Sequence, residues 1–210
     1  MTGAFRVKPA VFTLDAHGAD GGYMLLHGHC SGTRYDKKTT SFDGSSAWRI
    51  GGHLSTAIRI GLISDTHDLL RSQAIDFLRG SDFIIHAGDI GDSEIIEELA
   101  RIAPVTVVRG NNDAGAWART LPETELVKIG GIFIYVIHDL AELDIDPIAA
   151  GVQVVVSGHS HKPVIEHRDG VIFVNSGSAG PRRFKLPISV AELVVAGSTV
   201  SARLVELSSE

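Results

Sequence analysis

Seven side chains fall in five short islands: Asp65-Thr66-His67, Gly88-Asp89, Gly110-Asn111-Asn112-Asp113, His138, and Gly158-His159-Ser160-His161. Aspartate, histidine and asparagine are the donors that bind divalent transition metals, whereas calcium and magnesium prefer shells made wholly of oxygen. Hydrolysing a phosphoester near neutral pH requires a hydroxide and positive charge beside the phosphoryl oxygens. Two cations about 3.5–4 Å apart supply both when one carboxylate bridges them. Asp65-x-His67 puts a hard anion and an imidazole on one loop, and His159-x-His161 can turn two imidazoles toward neighbouring ions. Asn111 offers a neutral carbonyl oxygen. Any one island alone is ordinary loop text; their joint occurrence in this order is the signal.

Each island directly follows an apolar, β-branched run, which places it in a loop at the end of a strand. Arg59–Ile63, Asp82–His86 and Val105–Val108 read as strands separated by helical patterns at Ser72–Arg79 and Ser93–Ile102, the second with Ser93 as its cap. This β-α-β-α-β rhythm calls for parallel strands. Further on, Glu125–Ile129 and Ile132–His138 flank Gly130-Gly131, a hairpin signal. Val152–Val156, Val164–His167, Val171–Asn175, Ile188–Val195 and Thr199–Leu207 are further strands with short turns. The expected fold is α/β: two packed sheets forming a β-sandwich, with helices outside.

The chain has 210 residues, enough for one α/β domain and too few for two ordinary ones. No stretch approaches the roughly 20 apolar residues of a membrane span, so no membrane partner is expected. A single cysteine, Cys30, rules out an internal disulfide framework and fits a reducing compartment, making the cytoplasm the expected location. The net charge of −6 argues against an extended nucleic-acid surface. Residues 1–56 carry nine glycines and no sustained period, a composition expected of a disordered or loosely docked extension to a domain over 57–210. The only methionines are Met1 and Met24. The domain pattern begins near Leu54, which raises the expectation of an alternative start there.

From Ile58 to Leu207 the chain resembles the calcineurin-like metallophosphoesterase superfamily, and within it the compact YfcE-type phosphodiesterases. The matching text is Ile63-Ser64-Asp65-Thr66-His67, His86-Ala87-Gly88-Asp89, Val108-Arg109-Gly110-Asn111-Asn112-Asp113, Gly158-His159-Ser160-His161 and Asn175-Ser176-Gly177-Ser178. The resemblance implies the same αββα sandwich. It implies one metal on Asp65, His67, Asp89 and His161, a second on Asp89, Asn111, His138 and His159, and a hydroxide held between them as nucleophile. The metals implied are two divalent transition ions, with manganese favoured and iron, nickel, cobalt or zinc as alternatives. It also implies a small phosphodiester substrate and, as in relatives, homo-oligomers.

Asn111 and Arg109 become candidates for substrate contact, with a structural ion pair an equal reading of Arg109. His86 and Asp113 become candidates for orienting the ligands. Asp68 and Asp92 read as loop carboxylates, Arg182-Arg183 and Lys185 as a solvated face, and Trp117 as a residue of the substrate mouth. Asn112 stands where many superfamily members have a histidine that protonates the leaving oxygen. Ser176 stands where proline is frequent, and Asp139-Leu140 where Gly-His is common. A phosphomonoesterase, a nuclease, or a non-catalytic scaffold of the retromer kind are the alternatives. Because no island lies before residue 57, a chain beginning near Leu54 should fold and hydrolyse a bis-aryl phosphate as the full chain does; an insoluble or inactive product would show that the extension docks on the core.

Overall fold

The computed structural model describes residues 57–183 and 185–208, so the readings made on residues 1–56 lie outside the described residues. Among the described residues, ten strands form two five-stranded sheets. The first has the order β10-β9-β1-β2-β3 and the second β4-β5-β6-β8-β7. In chain order the strands are β1 (Ile58–Ile63), β2 (Phe83–His86), β3 (Val105–Val107), β4 (Thr124–Ile129), β5 (Ile132–Ile137), β6 (Val154–Ser157), β7 (Val164–Arg168), β8 (Val171–Asn175), β9 (Ser189–Ala196) and β10 (Thr199–Glu206). Helices α1 (Ser72–Leu78) and α2 (Ser93–Ala100) connect the first three strands.

Strands β1, β2 and β3 run parallel, as do β5, β6 and β8. Parallel pairing places the carboxyl ends of neighbouring strands at one edge of each sheet. All five islands follow such ends, and Asn175-Ser176-Gly177-Ser178 follows the end of β8. The alternation of side chains along each strand decides the layers. Ile60, Leu62 and Ile85 from the first sheet meet Ile134, Val136, Val154, Val156 and Val174 from the second in the inter-sheet core. Ile63 and Ile84 face the other way and pack beneath Ala74, Leu78, Ile95 and Leu99 of the two helices. Gly61 is required there, because a Cβ would lie 2.4 Å from Leu78 Cδ2.

Both regular helices therefore cover the first sheet. The outer face of the second is covered by the irregular segment 139–151, whose Leu140, Leu143 and Ile145 pack on Tyr135, Ile137 and Val155. Val152, expected in a strand, instead closes a turn in this segment, its N–H donating to Pro147 O at 2.8 Å. The cap of α2 also differs from expectation: Asp92, not Ser93, accepts the N–H of Glu94, at 3.0 Å. An aspartate at that position satisfies one of the helix's orphan donors. Trp117, half-buried, packs against the core beneath the helices.

One buried acid on the sheet is fully accounted for. Glu192 on β9 accepts from Arg59 Nε at 2.7 Å and Arg203 Nε at 2.9 Å. Burial would raise its pKa, but the two guanidinium groups outweigh that and hold it below the usual carboxylate range. Leu193 beside it is fully buried between the sheets. Leu193→Ala should cost about 3 kcal/mol, seen as a lower urea midpoint at unchanged m-value; a change below about 1 kcal/mol would contradict the packing described.

Candidate metal centre

The loop after β1 stays paired with the loop after β2 beyond the end of the strands. Asp65 N–H donates to Gly88 O (3.0 Å), His67 N–H to Asp89 O (3.0 Å) and Asp68 N–H to Ile90 O (3.1 Å). This pairing holds two acid-bearing loops at fixed height. The backbone is strained where it does so: Asp65, His67, Asp89, His159 and His161 all have positive φ, between 43° and 65°. Such conformations cost non-glycine residues on the order of 1–3 kcal/mol each and persist where surrounding structure imposes them. Gly110 permits the third loop to close in, since a Cβ there would lie 2.1 Å from both the amide nitrogen and Oδ1 of Asp89.

The seven donors converge. His161 Nε2 lies 3.2 Å from Asp65 Oδ1 and 3.3 Å from His67 Nε2. Asp89 Oδ2 lies 3.7 Å from His67 Nε2 on one side and 3.4 Å from His138 Nε2 on the other. Asn111 Oδ1 lies 3.1 Å from His138 Nε2 and 2.9 Å from His159 Nδ1. Among the described residues, Asp65, His67 and His161 form one group of metal-binding type, and Asp65, Asp89 and His138 another, each with ligand atoms within 4.8 Å. Among the described residues, two buried side-chain polar atoms have no hydrogen-bond partner, Asp65 Oδ1 and His161 Nδ1. A buried carboxylate oxygen left unpaired is costly. A cation among these donors removes that cost, so the residues fit a metal.

Asp89 and His67 are shifted in the direction that suits this fit, and His138 in the opposite one. Burial pushes Asp89 up, but hydrogen bonds from His138 and Asn112 outweigh it and hold the carboxyl well below its ordinary value. Burial lowers the pKa of His67, and the Arg183 charge adds to this against the opposing pull of Asp89 and Asp65. Burial acts to lower His138 too, but its bond to Asp89 prevails and raises it. His138 Nδ1 sits 2.7 Å from Ala87 O; donation there leaves Nε2 facing Asp89 and Asn111.

His86 and Asp113 act on loops, not on the donor rings. Gly88 N–H donates to His86 Nδ1 (3.2 Å), so the ring proton sits on Nε2 and is donated to Thr66 Oγ1 (3.0 Å), which donates to Ile90 O (2.9 Å). Asp113 accepts from the N–H groups of Ile90, Gly91 and Gly110 at 2.7, 2.9 and 2.8 Å, tying the second and third loops together. Arg109 pairs with Glu123, the ion-pair reading of that residue.

Three contributions went unread in the sequence. Asn112 donates to both Asp89 oxygens, from its backbone N–H (2.8 Å) and from Nδ2 (2.6 Å). Asp139 places Oδ2 3.6 Å from His159 Nε2. Serines 64, 176 and 178 form a hydroxyl network under the first loop: Ser64 and Ser176 Oγ lie 2.9 Å apart, and Ser178 Oγ donates to Asp65 O at 2.9 Å. Ser176 thus fills the expected proline position with a hydrogen bond. A string of serines carries no sequence signal of its own; the Asn112 amide could have been suspected from its place beside Asn111.

The calcineurin-like phosphoesterase superfamily domain matches residues 58–198. The chain belongs to this superfamily. A probable metallophosphoesterase of Methanocaldococcus jannaschii is 34% identical over 165 residues, covering 65% of this chain and 84% of the relative. A phosphodiesterase of the same organism is 28% identical over 138 residues, covering 57% and 83%. Among solved structures, vacuolar protein sorting 29 of Cryptosporidium parvum superposes with a TM-score of 0.59 at 20% identity, covering 73% of this chain and 99% of that one, a likeness of fold. Within this superfamily fold, the two-sheet architecture and the strand-end position of the islands agree with expectation.

The protonation of His86 can be tested directly. Complete burial pushes its pKa down from 6.5 to about 4. A histidine depressed in the folded state binds its proton first in the unfolded chain. Its stabilising contribution is therefore full above pH 6.5 and is lost as the pH falls toward 4, amounting to about 3 kcal/mol. Nitrogen NMR of the imidazoles should show His86 as the neutral Nε2–H tautomer down to about pH 4; titration near 6.5 would refute the buried arrangement.

Proposed function

We propose that this chain is a metal-dependent phosphodiesterase acting on a small phosphodiester, with two divalent ions held by Asp65, His67, Asp89 and His161 on one side and Asp89, Asn111, His138 and His159 on the other. The observation that carries the reading is the position of Asp89 Oδ2 between His67 and His138, 3.7 and 3.4 Å away. An ionised carboxylate placed between two imidazole clusters suits a shared anion. Bound divalent cations supply such a site with a water of lowered pKa and with positive charge for the phosphoryl oxygens. Mixed imidazole and carboxylate donors suit manganese, iron, nickel, cobalt or zinc, and the family resemblance makes manganese the first choice.

The chain's own residues set the remaining chemistry. Neutral His67 and ionised Asp89 present donors and not protons. Asn111 offers an uncharged oxygen, and its amide can contact the phosphate. Arg109 has one guanidinium nitrogen paired with Glu123. Asn112 cannot act as a general acid, and its amide is already committed to Asp89. Exchanging it for histidine would remove that bond, so such a variant would not simply restore an acid. Without a positioned acid, good leaving groups should be strongly favoured, since general acid catalysis is typically worth about 10²–10⁴-fold. The diester preference is supported by the relative named a phosphodiesterase. A scaffold with this fold would need neither the strained donor loops nor the buried unpaired carboxylate oxygen.

Chelation should abolish hydrolysis of bis-p-nitrophenyl phosphate, and Mn²⁺ should restore it better than Ca²⁺. Asp89→Ala should weaken both ions together and lower turnover on the order of 10²-fold or more, whereas His161→Ala should chiefly empty one site by elemental analysis. Two retained metals and near-normal turnover in Asp89→Ala would reject the shared-anion assignment, and full activity in metal-free protein would reject the mechanism.

A further inference from the structure

The segment from Gly158 to Lys162 has two faces. His159 and His161 turn toward Asn111 and Asp65. The alternate residues Ser160 and Lys162 line a cavity of about 250 Å³. Its other walls include Asp139 and Leu140 from the segment after β5, and Glu166, Arg168 and Phe173 from β7 and β8. Adjacent residues are about 3.8 Å apart along the chain, so this cavity begins one residue away from the metal donors. Half-exposed His159 and the neighbouring Asp139 form the rim between the two.

The charges inside are unevenly satisfied. Arg168 Nε donates to Glu166 Oε2 at 2.9 Å, and its guanidinium lies 4.8 Å from the Phe173 ring centroid, so this pair is neutralised and held over the ring. Asp139 Oδ1 accepts the N–H of Ala141, and Oδ2 faces His159. Lys162 differs: among the described residues its ammonium has no ion-pair partner. Ser160 Oγ accepts from Lys162 N–H (3.3 Å) and Asn175 Nδ2 (3.1 Å), which leaves its own hydroxyl proton to donate. An unpaired ammonium and an uncommitted hydroxyl on one wall are the donors an oxyanion needs.

We propose that this cavity receives the alcohol side of the diester and selects alcohols that carry a second anionic group, bound by Lys162 Nζ and Ser160 Oγ. This rests on the phosphodiesterase reading above. The phosphate being cleaved sits at the donor cluster, the chain of the alcohol crosses the rim at His159, and the second oxyanion reaches Lys162. Specificity then lies on the back of the same loop that supplies two of the metal donors.

The test compares two dinucleotides with the full-length, metal-loaded protein: ApA, and pApA with its extra terminal phosphate. The wild type should show a kcat/KM for pApA about tenfold or more above that for ApA. That ratio should fall toward one in Lys162→Ala and return in Lys162→Arg, with metal content measured in each. A second readout needs no turnover: in EDTA, AMP should bind the wild type measurably more tightly than adenosine by calorimetry. Equal kcat/KM for the two dinucleotides, a ratio that survives Lys162→Ala, or equal binding of AMP and adenosine would overturn the inference. Cleavage of bis-p-nitrophenyl phosphate but of neither dinucleotide would also overturn it while leaving the metal centre standing. Failure on all three substrates with metal present would instead remove the phosphodiesterase reading on which it depends.

Discussion

A carboxylate buried with its charge intact is the constraint around which this domain is arranged. Asp89 is 1% exposed. Burying such a group costs several kcal/mol unless hydrogen bonds and opposite charge compensate. Asn112 supplies two of those bonds from the third loop and His138 supplies a third contact from the other sheet. Meeting this demand requires β2, β3 and β5 to end at the same level, and so requires the parallel pairing within each sheet and the face-to-face packing between them. Gly110 is small because the Asp89 backbone and carboxylate occupy the space a side chain would take.

Polar residues that look incidental belong to the same compensation. Asp113 gathers three backbone N–H groups from two loops, His86 relays a hydrogen bond through Thr66, and Ser178 holds the carbonyl of Asp65. None carries a donor to the site. Each removes freedom from a loop that does, which is how a set of strand-end side chains becomes a fixed geometry.

The sequence disclosed most of this because its donors lie next to strands, and strands announce themselves by runs such as Ile60–Ile63 and Val154–Val156. Local chemistry was readable wherever it sat within a few residues: the hairpin at Gly130-Gly131 and the islands themselves. What was hidden depended on distance along the chain. Nothing local tells that Asn112 reaches back to Asp89 or that Arg109 meets Glu123. That no α-helix among the described residues covers the second sheet was also hidden, because Leu140, Leu143 and Ile145 reach it from a short 3-10 turn and irregular chain. Its aspartates, such as Asp139 and Asp146, bond their own following N–H groups, and such local bonds compete with helix formation.

The contribution of donors by both sheets has a thermodynamic consequence. Asp65, His67 and Asp89 follow strands of the first sheet, while His138, His159 and His161 follow strands of the second. Any ion that engages both sets would add a cross-link between halves of the core that hydrophobic contact and loop hydrogen bonds such as His138 Nδ1 to Ala87 O already join. Because no unfolded chain holds residues 65 and 161 together, ligation counts almost entirely toward the native state and grows with the logarithm of ion concentration. A bound metal would thus double as a clasp: its supply would set how long the two sheets stay closed, independently of whether any ester is being cleaved.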